Sequence, residues 1–98
     1  MTIIEVGKTI LQQLGGHRFI AMTGARNFLA FENGLAFRIP TRNGANAIKI
    51  KLTPMDVYTM EFTRIRGTML TTIAELNDLY AEDLQNAFTT HTGLDTHL

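Results

Sequence analysis

The sequence predicts an antiparallel α+β domain on three observations. An amphipathic helix opens the chain, alternating apolar stretches fill its middle, and a second helical pattern closes it. The expected order is α-β-β-β-β-β-α, a sheet of about five or six strands flanked by an N-terminal and a C-terminal helix. The chain has 98 residues and no linker, repeat or low-complexity stretch, so residues 1–98 read as one domain.

Residues 3–14 place Ile3, Val6, Ile10, Leu11 and Leu14 on one helical stripe, and Gly15-Gly16 supplies a stop. Gly7 inside that helix costs about 1 kcal/mol relative to alanine. The polar side is not basic, so the stripe is expected to pack in a core and not on a membrane. Glu5, Lys8, Gln12 and Gln13 interrupt the apolar residues, which is not the pattern of a secretory signal. A cytoplasmic protein is the expectation.

The stretch RFIAMTGARNFLAF, residues 18–31, reads as two strands joined at Thr23-Gly24-Ala25-Arg26. A phosphate-gripping loop needs a second glycine, a lysine and a following helix, none of which this loop has. Gly24 then serves a tight turn, and Arg26 at its tip is either solvated or an anion contact. Asn33-Gly34 predicts a two-residue hairpin turn with positive φ, pairing Glu32 with Leu35, Ala30 with Phe37 and Phe28 with Ile39. One face becomes Phe28, Ala30, Leu35, Phe37 and Ile39, a core face. The other holds Leu29, Phe31, Ala36 and Arg38.

Residues 47–52 and 57–65 alternate cleanly. Matching their apolar sets puts Ile50 opposite Met60, Ile48 opposite Phe62 and Lys49 opposite Glu61 as a cross-strand ion pair. The turn around Pro54-Met55-Asp56 then has an odd number of residues. A strand over about 69–76 follows the Arg66-Gly67 break, and a helix over about 78–91 takes Asp78 as its N-cap. Tyr80, Leu84, Ala87, Phe88 and His91 form its stripe, and Gly93-Leu94 a left-handed end with an apolar contact.

Composition narrows the chemistry. With 45% apolar and 18% charged residues the chain is ordinary for a globular domain. It has no cysteine, which excludes disulfides and thiolate metal sites and is compatible with a reducing cytosol. It also has no serine. His17, His91 and His97 lack zinc-site spacing, and no nucleophile, acid/base pair or cofactor motif stands out. No enzyme activity, metal or cofactor is expected.

Charge is uneven although the net is zero. Residues 18–66 carry eight basic groups, Arg42 among them, against three acids, a net of +5; residues 67–98 carry five acids, Asp95 included, and no base, a net of −5. Either the two parts face each other within the fold or they meet a partner. Two surfaces follow. Arg26, Arg38, Lys49, Lys51, Arg64 and Arg66 are the anion-binding candidates, for a nucleotide or nucleic acid. Carrying the strand pairing through the 23–26 loop sets Ile20 beside Leu29 and Met22 near Asn27. That makes Ile20, Met22, Leu29 and Phe31, edged by Arg18 and Arg38, the protein-binding candidates. The plainer expectation is that one of the two helices covers this patch in a three-layer domain. If both helices lie on the other face, the patch is a surface for a partner protein or a second copy.

The phrases LGG-x-RFIAMTGA-x-NF (14–28), DVYTMEFTRIRG (56–67) and FTTHTGL (88–94) resemble a family of short bacteriophage and mobile-element proteins. The resemblance spans nearly the whole chain and brings no catalytic residues with it. It implies a phage-type accessory protein that acts by binding, most readily to a host protein and as an antagonist of a bacterial defence system. A nucleotide or nucleic acid held by the basic surface is the alternative, and a homo-oligomer joining the +5 and −5 regions is a third.

Overall fold

Ile50 sits between two lysines and Ile48 beside one, and Met60 and Phe62 lie between polar neighbours, so the two segments bury only one face each. The computed structural model, which describes residues 3–41 and 44–94, pairs them in the register that burial demands. Ile48 lies opposite Phe62, Lys49 opposite Glu61 and Ile50 opposite Met60. These strands, β3 (Ala47–Leu52) and β4 (Tyr58–Arg66), form the middle of an antiparallel meander. β1 (Arg26–Phe31), β2 (Gly34–Arg38) and β5 (Met69–Leu79) complete it in the order β1-β2-β3-β4-β5. Leu52 pairs with Tyr58, which leaves the odd-numbered 53–57 turn that the apolar matching requires.

Among the described residues three helices accompany the sheet: α1 (Ile3–Leu14), α2 (His17–Thr23) and α3 (Leu84–Thr92), the last entered through a 3-10 turn at Ala81–Asp83. Val6, Ile10 and Leu14 of α1 are buried as their spacing predicts, whereas the side chain of Ile3 lies outside the described residues. The core is one cluster. It joins Ile10, Leu14, Phe19, Leu84 and Phe88 to Phe37, Ile48, Ile50, Met60 and Phe62 of the sheet. The chain is thus one α+β domain whose element order is α-α-β-β-β-β-β-α.

α2 corrects the expected strand over 18–22. The run Phe19-Ile20-Ala21-Met22 suits either conformation by composition, and tertiary packing decides. Helical spacing buries Phe19 and Thr23 together, and the Thr23 hydroxyl donates to the Phe19 carbonyl at 2.7 Å. Phe19 meets Phe37 and Phe88 edge-on, with ring centroids 5.4 and 5.0 Å apart. Gly24 therefore ends a helix and does not turn a hairpin. Its φ of 71° is left-handed, and its N–H donates to the Ile20 carbonyl.

The first hairpin is also shifted. Ala30 pairs with Leu35 and Phe31 with Gly34, so the turn residues are Glu32 and Asn33, neither with positive φ. The shift moves the pairing by two, so each side chain keeps the face its alternation predicts. Gly34 is needed for closeness and not for its φ. A Cβ there would collide with the Ile50 carbonyl oxygen and stand 2.7 Å from Phe31 Cζ. A bulge between Arg26 and Leu29, where Asn27 has a φ of 57°, leaves Phe28 at the margin, 36% exposed and packed on Phe37.

At the other end, Asp78 is not the helix cap. It lies in β5 with a φ of 58°, and Asp83 instead accepts the Tyr80 N–H at 2.9 Å. Tyr80 points away from the core that Leu84 and Phe88 enter, being exposed. Gly93 closes α3 in the left-handed conformation, and Leu94 packs on the core as expected.

The layering answers the question left open by the sequence. α1 packs on β1 and β2, with Gly7 set against Ala30 and Leu35, while α3 brings Phe88 to Phe37 and His91 to Phe62 at 5.0 Å. All these contacts fall on one face. The expected third layer is absent among the described residues, and the domain has two.

Gly34→Ala is expected to cost about 3 kcal/mol, the upper end of overpacking, because backbone must move to admit the methyl group. Asn33→Ala is expected to cost less than about 0.5 kcal/mol, since its backbone is not left-handed. Urea denaturation of the two variants checks the ranking; a turn centred on Asn33-Gly34 would make both costly.

Candidate functional site

Strand alternation and register set out the uncovered face in rows. One row runs Arg26, Arg38, Ala47, Thr63, Thr72 across the five strands; the next runs Leu29, Ala36, Lys49, Glu61, Glu75. A third carries Phe31, Gly34, Lys51 and Thr59, with the Thr59 hydroxyl bonded to Asn77 Oδ1 at 3.2 Å. Ile65 and Leu70 pair beyond the first row. The face is neither dry nor uniformly polar. Leu29 is 64% and Leu70 71% exposed, values that core side chains do not reach.

Two adjoining concavities shape it. One, of about 260 Å³, is lined by Leu29, Ala36, Arg38, Ile65 and Leu70. The other, of about 510 Å³, is lined by Lys49, Lys51, Thr59, Glu61, Glu75 and the Thr53-Pro54 turn. Lys49 and Glu61 line both and sit between them. They stand opposite each other as predicted, but the expected ion pair is replaced by other contacts. The Lys49 ammonium lies 5.2 Å from the centre of the Phe31 ring, a cation–π contact. Glu61 accepts a long hydrogen bond from the Thr63 hydroxyl at 3.4 Å.

Of the protein-binding candidates, Leu29, Phe31 and Arg38 share this face; Ile20 and Met22 do not. Both belong to α2 on the helical side, where Ile20 packs against the core. Among the anion-binding candidates, Arg26, Arg38, Lys49 and Lys51 are brought together. Arg26 and Arg38 are direct cross-strand partners, two like charges facing each other, and Arg38 Nε is shielded without a hydrogen-bond partner among the described residues. Arg64 alternates to the other side and is occupied there. Its guanidinium donates to the Thr41 and Gly44 carbonyls at 3.4 and 3.2 Å. Arg66 ends β4 opposite Met69. Arg42, Asp95 and His97 lie outside the described residues.

Ile65, Leu70 and Glu75 belong to the face although sequence reasoning passed over them. Carrying the alternation of Thr59, Glu61 and Thr63 one step further reaches Ile65. Leu70 and Glu75 needed the β4–β5 register, which two irregularities on β5 disguise.

Comparison with models of protein families, with curated proteins and with solved structures finds no match to this chain. Among the described residues no group of three histidines and carboxylates is placed to hold a metal ion, and no helix is long and apolar enough to cross a membrane.

The clear pKa perturbation lies under the helices. Burial pushes the Tyr58 hydroxyl above its ordinary 10.0; a hydrogen bond from the Gln13 side chain opposes this and the Asp56 carboxylate adds to it. The fold favours the neutral phenol, so this stability is complete below pH 10.0 and is lost as pH rises through the folded-state value. Denaturation midpoints below and above pH 10.0 should fall more for the wild type than for Tyr58→Phe, which keeps the ring and loses the proton.

Proposed function

We propose that this protein acts without catalysis, by binding another protein through the uncovered face of its sheet. The observation that carries this reading is the one-sided layering: α1, α2 and α3 all lie opposite a face on which Leu29 and Leu70 stand in water beside Arg38 and Lys49. Apolar groups rimmed by arginine and lysine are what a protein interface needs, a desolvated centre with a polar edge. The likeness of residues 14–28, 56–67 and 88–94 to short phage proteins supplies the setting. In that setting the partner is a host protein in the bacterial cytoplasm, and the accessory role is to block a component of a defence system.

The basic half of the face supports a second reading, a nucleotide or nucleic acid. Arg26 and Arg38 repel across the β1–β2 ladder, and a phosphate between them would relieve both. Glu61 and Glu75 in the neighbouring row work against a long polyanion.

Leu29→Glu combined with Leu70→Glu should abolish capture of the host protein from lysate while leaving the thermal midpoint within a few degrees, because both side chains are exposed. Retained capture, or an unfolded variant, would sink the proposed surface. For the second reading, Arg26→Ala with Arg38→Ala should remove nucleic-acid binding that falls steeply with added salt. Binding that ignores salt, or survives both substitutions, would count against it.

A further inference from the structure

The charges of the uncovered face are sorted by strand. Arg26, Arg38, Lys49 and Lys51 stand on β1 to β3, and Glu61 and Glu75 on β4 and β5. Arg64 and Arg66, the bases of β4, alternate to the other side. The face is therefore basic across one half and acidic across the other, with the boundary between β3 and β4.

We propose that a second copy of this chain occupies this face when no other partner is bound. The proposal rests on the reading of the face as a protein-binding surface and names its resting occupant. A two-fold axis parallel to the strands, lying between β3 and β4, turns one sheet over onto the other. β3 of each copy then faces β4 of its mate, and β2 faces β5. Lys49 meets Glu61 of the second copy twice, once on each side of the axis, and Arg38 comes over the strand that carries Glu75. Such an isologous contact is self-complementary and closes at two subunits. Sheets packed face to face stand about 10 Å apart, a gap that facing lysine and glutamate side chains fill. A like-signed face could not do this, because every facing pair would repel.

The size of the contact sets its strength. The four facing strands, β2 to β5, at about 4.8 Å spacing and about 20 Å of strand length give a projected area of roughly 400 Å² per copy. Stable interfaces bury about 800 Å² of accessible surface per partner, so this dimer is reversible and open to exchange for a tighter-binding protein.

Sedimentation equilibrium over a micromolar-to-millimolar series tests it on the full chain. The wild type should rise from 11.0 kDa toward twice that mass, and added salt should hold it back. Lys49→Glu and Glu61→Lys should each weaken self-association by about tenfold or more, since each sets like charges face to face. An equal mixture of the two variants should recover it, because one copy then presents acids at both positions and its mate bases at both, so each facing pair is again of opposite sign. Matching thermal midpoints show that both variants are folded. A wild type that stays at 11.0 kDa throughout overturns the proposal, as does a mixture no stronger than its components. A dimer indifferent to both swaps overturns it too, and points to pairing along an edge strand. Lysate capture that depends on Leu29 and Leu70 by a chain that never dimerises would leave the protein-binding reading standing and remove the second copy alone.

Discussion

Three phenylalanines hold the layers in their places. Phe19 meets Phe37 and Phe88 edge-on, while Phe37 and Phe88 lie 6.3 Å apart centre to centre. Each ring comes from a different element, α2, β2 and α3, and all three are almost wholly buried. Edge-to-face rings attract beyond the area they bury, so the cluster ties both ends of the chain to one side of the sheet. α1 closes over the same side through Val6, Ile10 and Leu14. Once that side is full, no described element remains to cover the opposite one. The exposure of Leu29 and Leu70 follows from where the phenylalanines meet.

Alternation made the sheet readable. Ile48, Ile50, Met60 and Phe62 admit one register, and the structure has it. Leu29, Phe31, Arg38, Lys49 and Lys51 were assignable to the outward face for the same reason, because period two fixes the side even when the turn is misplaced. The Asn-Gly turn was misplaced because local turn preference competes with packing. Gly34 fits against the Ile50 carbonyl and the Phe31 ring, and the chain turns one residue earlier to keep that fit. Residues 18–22 were misread because four consecutive apolar residues have no period to measure. What decided them was a ring contact with Phe88, at the far end of the chain.

The layering itself was not legible. Periodicity tells which face of an element is apolar, but both faces of this sheet carry apolar residues, and a helix stripe does not say which it will choose. The charge sorting was half legible. The +5 and −5 regions were visible as blocks, and alternation already set Lys49 against Glu61, yet only the β4–β5 register adds Glu75 to that surface, and only the structure shows Arg64 turned away to the Thr41 and Gly44 carbonyls.

β5 carries one more consequence. Its pairing with β4 is irregular at two places, so Ile73 and the left-handed Asp78 interrupt an otherwise even ladder. An eleven-residue strand at the end of an open sheet offers a long row of amides and carbonyls to any similar strand. The two interruptions break that row into short pieces with changed twist, too short to template a fibre. In a small domain that leaves one broad face wet, this irregular margin works against endless stacking edge to edge.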